Sequence, residues 1–431
     1  MINSKRLLLA FSFITTSIIL QAQLTVNQDR LEKRIIDLAQ FGIQKNGQTE
    51  RVAFSDADLA AQQWVLKTLK ELGLKTHIDY AGNIIGKREG KKPSLKPISF
   101  GSHIDRVPSG GNYDGCVGSM AAIEVLETLK ENKIKTNHPL EIIIFSNEEG
   151  GVMGSRAIAG HLGKEALPIV NSTGYSMAEG IMRLGGDTLR IAEVARKKDE
   201  IAVFLELHIE QGGTLEKENI QIGIVEGIVG LAWWEVEFTG FSNHAGTTPM
   251  NARQDALLAA AKFIVAVNEV TNSFEGAQVG TVGKIKAEPG APNVIPGRVV
   301  TSLEIRDLSL EMIEKVYKAI ETRAKEIAKA SNVQIELRPL DTTADPAIMT
   351  ATIQDEIASS ASQLSLTTKR MPSGAGHDAQ DMALIAPTGM IFVPSRGGIS
   401  HSPKEFTSAE DMANGANVLL NTILALDKKL D

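Results

Sequence analysis

The sequence predicts an α/β protein in which a discontinuous larger domain, a central mixed sheet flanked by helices, is interrupted by an inserted α+β unit. Three observations lead there. From residue 24 to residue 213, apolar runs that read as strands ("KPISFGSHI", "PLEIIIFS", "IAVFLELHI") alternate with helix-like stretches such as "DADLAAQQWVLKTLKELG" and "SMAAIEVLETLKEN". A second texture follows: strand "LAWWEVEFTGF", helix "ARQDALLAAAKFIVAVNEVTN", strands "AQVGTVGKIKAE" and "RVVTSLEIRD", helix "SLEMIEKVYKAIETRAKEIAKAS" and strand "VQIELRPL". That order is β-α-β-β-α-β, a compact unit in its own right. Third, "PAIMTATIQDEIASSASQL" and a glycine-rich C-terminal part return to the first texture. The larger domain is therefore expected at 23–228 and 342–431, and the insert at 229–341.

At 431 residues and 43% hydrophobic composition the chain can bury a sizeable core. Its 45 basic and 52 acidic residues give a net charge of −7, and no basic block stands out, which argues against nucleic acid as a partner. Cys116 is the single cysteine, so no intrachain disulfide can form. At the start, Lys5 and Arg6 precede an apolar run from Leu7 to Leu20 and then Gln-Ala-Gln. This is the order of a secretory signal, and it predicts cleavage near Ala22, export to the periplasm and no stable membrane association afterwards.

Eight histidines are present; His77, His138 and His161 lie in polar settings and read as surface residues. His103 ends a strand, with Asp105 two residues on, where extended backbone turns both side chains the same way. A carboxylate there can hold the second imidazole N–H, as metal-bound histidines require. Asp114 follows in "SGGNYDGCVGS", ahead of a helix expected from about Ser119. Two adjacent carboxylates, Glu148 and Glu149, close the strand "PLEIIIFS". His208 ends another strand, and His401 lies in the loop "RGGISHSPKE". Alone, a histidine at a strand end is more often a hydrogen-bonded core or rim residue than a ligand. Together, His103, the glutamate pair and His208 fall at the C-terminal ends of strands, where open α/β sheets hold their ligands. Divalent cations there would supply the positive charge that buried carboxylates need. On extended backbone Glu148 and Glu149 would point to opposite sides, so one can ligate while the other acts as a base.

The segments "GSHID", "GGNYDGCVG", "NEEGG…GSRAIAG", "ELHIEQG", "FSNHAGTTPM", "APNVIPG", "EIRD", "PSGAGHDAQ" and "ISHSPKE" resemble, in this order, the dimetal amidohydrolases that include N-carbamoyl-L-amino-acid hydrolases, allantoate amidohydrolases and β-ureidopropionases. These belong to the aminoacylase and carboxypeptidase clan. The resemblance implies a catalytic α/β domain carrying an inserted lid that forms a homodimer interface. It implies two divalent metal ions per subunit, zinc by default with manganese, cobalt or nickel as alternatives. His103 and His208 would hold one ion, Glu149 and His401 the other, and Asp114 would bridge them. Glu148 becomes the general base, Asp105 the orienting carboxylate, and His244 an oxyanion donor reaching from the partner subunit. Arg306 would pair with a substrate carboxylate, with Gln211, Asn293 and the backbone at Gly374 and Gly376 completing the pocket. His377 and Asp378 fall near the site without fixed roles. The family also implies a cis peptide after the bridging residue, here Asp114–Gly115.

The implied reaction is hydrolysis of a linear amide C–N bond in a ureido substrate bearing a carboxylate. An N-carbamoyl-L-amino acid is favoured, because "IGIVEGIVGLAWWEVEFTG" is closer to carbamoylases; the alternatives are allantoate, or less readily an N-acyl amino acid or peptide. One departure bears on substrate size. The loop "EEGGVMGSR" is shorter than in many relatives and lacks their Arg-Phe pair.

Overall fold

The computed structural model describes residues 24–44, 49–340 and 344–430. The expected signal segment, residues 1–22, lies outside the described residues. Among these residues no helix is long and apolar enough to cross a membrane. Before the insert come strands β1 (Lys75–Ile78), β2 (Ile84–Arg88), β3 (Ile98–His103), β4 (Leu140–Phe145), β5 (Val203–Ile209) and β6 (Ile222–Ile228). Helices α1 (Gln28–Ala39), α2 (Asp56–Glu71), α3 (Cys116–Glu131), α4 (Met153–Ile158), α5 (Met177–Arg183) and α6 (Thr214–Glu218) are interleaved with them. The insert contains β7 (Gly230–Thr239), β8 (Asn243–His244), α7 (Ala256–Asn272), β9 (Val279–Thr281), β10 (Ile285–Glu288), β11 (Val294–Ile295), β12 (Arg298–Asp307), α8 (Leu310–Ala330) and β13 (Gln334–Pro339). Then follow β14 (Ala347–Ile348), α9 (Ala351–Gln363), β15 (Thr368–Ser373), α10 (Asp378–Met382), β16 (Thr388–Val393) and α11 (Ala409–Lys429).

The larger sheet is mixed, in the order β1-β2-β4-β3-β5-β16-β6-β14, with β15 beside β6. Its middle strands β4, β3, β5 and β16 are mutually parallel, so their C-terminal ends open on one edge. Alternation divides the core. In β4, Leu140, Ile142 and Ile144 pack with α3 and α11, while Ile143 and Phe145 meet α4 and α10 on the other face. Strands buried on both faces read as unbroken apolar runs, which is why "LEIIIF" is visible in the sequence.

In the insert the order is β10-β12-β7-β13, with β9 also on β12. The single expected strand over "AQVGTVGKIKAE" is thus two short pieces, both antiparallel to β12, interrupted near Gly283. Helices α7 and α8 cover one face, where Trp234 stacks on Tyr317 at 4.4 Å. Caps set the helix starts: the Asp255 carboxylate accepts from the amides of Leu257 and Leu258, so α7 begins at Ala256 and not at Ala252. His138 corrects the expectation of a surface position. It is buried at the entry to β4, with Nδ1 2.7 Å from the Lys96 carbonyl and its backbone amide bonded to Asp427.

Candidate metal centre

Every element of the candidate site leaves the C-terminal edge of the parallel strands. His103 is the last residue of β3, His208 lies near the end of β5, the glutamate pair follows β4, and the His401 loop follows β16. Asp114 comes from the loop between β3 and α3. Helix α3 starts at Cys116, three residues earlier than the sequence suggests, because Gly115 takes φ +63° and turns the chain directly into it. A Cβ on Gly115 would lie 2.3 Å from His103 Nε2, so only glycine fits. The Asp114–Gly115 peptide is trans, contrary to the expectation; the one cis peptide among the described residues is Glu288–Pro289.

Two groups of donors share Asp114. His103, Asp114 and His208 offer atoms within 4.8 Å of one another, as do Asp114, Glu149 and His401. Asp114 Oδ1 lies 3.1 Å from His208 Nε2 and 3.6 Å from His103 Nε2, while Oδ2 lies 3.3 Å from His401 Nε2. His401 Nε2 is 3.4 Å from Glu149 Oε2. The tautomers follow from the far side of each ring. His208 Nδ1 sits 2.9 Å from the Ile209 carbonyl and His103 Nδ1 sits 3.2 Å from the Asp105 carbonyl. A carbonyl can only accept, so Nδ1 carries a proton, which leaves Nε2 free to ligate whenever the ring is neutral. The Gly115 amide donating to His208 Nε2 agrees with this. Buried His103 Nε2 has no hydrogen-bond partner and faces carboxylate oxygens. A cation set between these nitrogens and the carboxylates would satisfy both, and three imidazoles with two carboxylates suit zinc or another first-row divalent ion.

Burial disfavours the charged form of Asp114, yet His103, His208 and His401, acting as protonated donors when no cation stands between, outweigh it and hold its carboxyl well below the usual range. Glu148 is the opposite case. Burial, aided by Asp378, Glu149 and Asp105 and opposed by His103, pushes its carboxyl well above the usual range. Glu149 is pushed up to about 7 by burial and then by Asp114, and Asp114 raises the half-exposed His401 to about 9. Carboxyls held back from ionising in this way mark a site short of positive charge.

Asp105 makes contacts beyond the expected one to His103. Its carboxylate is 3.6 Å from His103 Nδ1, farther than its own carbonyl, and instead accepts the amides of Glu148 and Glu149, each at 3.2 Å. It therefore orients the glutamate pair directly and His103 through the main chain. The pair itself is not extended backbone: Asn147 at φ +51° bends the chain after β4, and both glutamates lie in the turn. Their side chains still diverge, Glu148 Oε2 to within 3.6 Å of His103 Nε2 and Glu149 toward His401.

Among the other expected residues, Gln211 Nε2 donates to Asp114 Oδ2 at 2.6 Å, which ties it to the centre. Arg306 donates from Nη1 to the Gly374 carbonyl at 2.7 Å and pairs with Glu304 through Nε and Nη2, so the insert and the larger sheet meet at this guanidinium. Gly376 is exposed in the same loop. His244 and exposed Asn293 lie together on the β8–β11 ribbon, where the Ala245 amide donates to the Asn293 carbonyl, but no described contact joins them to the metal donors of their own chain. His377 packs 4.4 Å from the His208 ring and bonds Ser373; burial, then His208, holds it well below its usual value, hence neutral. Buried Asp378 has neither oxygen hydrogen-bonded.

Sequence reading missed Glu206 and Glu405. Glu206 forms a third donor group with His208 and His377, but its oxygens already accept from Ser102 Oγ and the Ala379 amide, so it supports the histidines from behind. The alternation in "LELHI" was the available signal, since Glu206 and His208 face the same way.

The chain is similar in sequence and fold to known proteins. The chain is 40% identical over 406 residues to an N-carbamoyl-L-amino acid amidohydrolase of Geobacillus stearothermophilus, covering 93% of this chain and 99% of that one. It is 38% identical over 422 residues to a ureidoglycolate hydrolase of Arabidopsis thaliana, covering 95% and 89%. A crystal structure of a hydantoinase/carbamoylase family amidase from Burkholderia multivorans superposes with a TM-score of 0.87 at 32% identity, over 93% of this chain and 98% of the other. Residues 99–425 match the model of peptidase family M20/M25/M40, and the chain belongs to that family.

Proposed function

We propose that the protein hydrolyses the linear amide C–N bond of a ureido substrate bearing a carboxylate, with an N-carbamoyl-L-amino acid as substrate and the amino acid, carbon dioxide and ammonia as products. The observation that carries this reading is the Asp114 carboxylate shared by two donor groups, with Glu148 beside them and unneeded as a ligand. The family is dimetal-dependent. In this chain His103, His208 and Asp114 would hold one ion, and Asp114, Glu149 and His401 the other, with zinc by default and manganese, cobalt or nickel as alternatives. Bound there, the ions would polarise the scissile carbonyl and acidify a water molecule.

Glu148 takes the water proton and passes it to the leaving nitrogen. The amides of Glu148 and Glu149 on Asp105 keep the base in place. Arg306 has one N–H left on each of Nη1 and Nη2 after binding Gly374 and Glu304, enough for both oxygens of a carboxylate. His244 suits an oxyanion donor: its Nδ1 accepts the amides of Gly246 and Thr247, so Nε2 carries the proton. It would serve the partner's site across a two-fold dimer built on the insert, 229–341. Phe241, Met250, Leu258 and Val265, all exposed in the single chain, supply an apolar surface for that contact. The signal-like N-terminus supports export.

The test is a panel of N-carbamoyl-L-amino acids, allantoate, ureidoglycolate, N-acyl amino acids and dipeptides, assayed with added Zn²⁺ or Mn²⁺. N-carbamoyl substrates should be turned over fastest. Preferential cleavage of dipeptides or N-acyl amino acids would refute the ureido reading.

A further inference from the structure

Of the ligand-type side chains, His401 is the least supported. It is 51% exposed, takes φ +52°, and sits on a loop whose tip carries no regular structure. His103 and His208, by contrast, are buried on strands. Something must hold the His401 loop at a fixed distance from Asp114.

Buried Glu405 is placed to do this. Its Oε1 accepts the amides of Tyr113 at 2.8 Å and Asp114 at 3.1 Å, and its Oε2 lies 2.9 Å from the hydroxyl of Ser400, the residue before His401. Ser400 Oγ is also 3.1 Å from Asp114 Oδ2, the oxygen that faces His401. One carboxylate thereby ties the loop after β3 to the loop after β16. The fit is tight on both sides. A Cβ on Gly111 would lie 2.1 Å from Glu405 Oε1, so that loop position has no room for a side chain. Arg106 is buried, with no hydrogen-bond partner on any guanidinium nitrogen, and lies within electrostatic reach of Glu405. A buried carboxylate that receives two main-chain amides and shares a hydroxyl proton is fixed in position.

We propose that Glu405 is a positioning residue that clamps the His401 loop to the Asp114 loop and so sets the affinity of the ion held by Asp114, Glu149 and His401. The other ion depends on it far less, because His103 and His208 are fixed by β3 and β5 and by their own carbonyl partners. The inference rests on the two-ion reading above, but its test needs no substrate.

Apoprotein, prepared with a chelator, is titrated with Mn²⁺ or Zn²⁺ by calorimetry, and bound metal is counted after dialysis. Wild type should take two ions. Glu405→Gln, which keeps the shape but removes the charge and one acceptor, should weaken one ion about 10–100-fold and leave the other within about threefold. Ser400→Ala should weaken the same ion to a smaller degree. In a His401→Ala background, where that ion is already lost, Glu405→Gln should not change the affinity of the remaining ion. Equal weakening of both ions, or a further loss in the His401→Ala background, would show a merely structural role and overturn the proposal. If Glu405→Gln does not fold, Ser400→Ala decides by the same criterion: a loss confined to one ion supports the clamp, and no loss or a shared loss overturns it. Wild-type protein that binds fewer than two ions would instead defeat the two-ion reading itself.

Discussion

Arg306 tests the substrate class most directly, because the structure shows what its guanidinium has left to offer. Of its five donors, Nε and one N–H of Nη2 are taken by the Glu304 carboxylate, at 2.8 and 3.2 Å, and one N–H of Nη1 by the Gly374 carbonyl at 2.7 Å. Glu304 also accepts from the Trp233 indole, so the side on which Arg306 leans is rigid. The remaining N–H on each of Nη1 and Nη2 would bind a substrate carboxylate as a fork. A charge-assisted hydrogen bond contributes about 1.5–3 kcal/mol. At about 1.4 kcal/mol per tenfold, Arg306→Leu should raise KM roughly 10–150-fold. The carboxylate is bound alike in the ground and transition states, so kcat should stay within about threefold. Arg306→Lys keeps a charge but cannot hold Glu304, Gly374 and a substrate at once, and should recover only part of the loss. Steady-state kinetics on an N-carbamoyl-L-amino acid and its amide, in wild type and both variants, make the measurement. If wild type binds the amide as well as the acid, or if Arg306→Leu leaves KM unchanged, Arg306 does not read a carboxylate.

Glu148→Gln should keep both ions by metal analysis while kcat falls on the order of 10²–10⁴-fold, because Gln can bond the water but cannot take its proton; a variant that keeps most of its kcat would remove Glu148 from the base role. Co-expressing His244→Ala with Glu148→Gln, each inactive alone, should restore about a quarter of wild-type activity, since about half the dimers are mixed and each has one intact site of two; inactive mixed dimers, verified by differential tags, would place His244 in its own subunit or in a structural role. Gly115→Ala drives a Cβ against His103 Nε2 and should weaken metal binding at least about tenfold, read by chelator competition. Buried Asp58, whose carboxyl is pushed up to about 7 by burial and then by Asp105, holds a proton in the folded state that the unfolded chain releases near pH 4. Its contribution is therefore fully present below pH 4 and is lost as pH rises toward 7, and Asp58→Asn should flatten urea-unfolding stability across that window by on the order of 1–4 kcal/mol.

The fold was legible where burial imposes a period. Strands β3, β4 and β5 are enclosed on both faces and stand out as apolar runs, and the two helices of the insert show amphipathic spacing and side-chain caps at Asp255 and Ser309. The edge strand β1 and the short β14 and β15 did not stand out, because half-exposed strands carry no such run, and β2, though paired on both sides, is too short to show one. At the site, the convergence of His103, Asp114, Glu149, His208 and His401 was legible because strand-end position in a parallel sheet fixes where a side chain emerges. Glu405 and Arg106 were not. Their partners are main-chain amides and buried charge nearly three hundred residues apart in sequence, which leave no local pattern to read.

The same limit has a backbone form. Asn147, Val152, Gln211 and His401 all adopt positive φ without being glycine, and all lie within a few residues of the candidate ligands or the base. Val152 is the extreme case, since a β-branched residue at φ +50° is strained by about 1–3 kcal/mol. Its amide bonds the Glu148 carbonyl at 2.7 Å, and the Gly151 amide bonds the same oxygen at 2.9 Å, so the turn closes back on the base. Local propensity argues against Val152 and Gln211 in this conformation and does not require it of Asn147, which is why the sequence suggested an extended glutamate pair. The surrounding packing overrides it: β4 and α4 on either side of the turn are buried and cannot shift to relax it. The shortened loop "EEGGVMGSR" thus spends strain on a short, rigid path from strand to helix, and the Glu148 carboxylate is held at its end facing His103 before any substrate arrives.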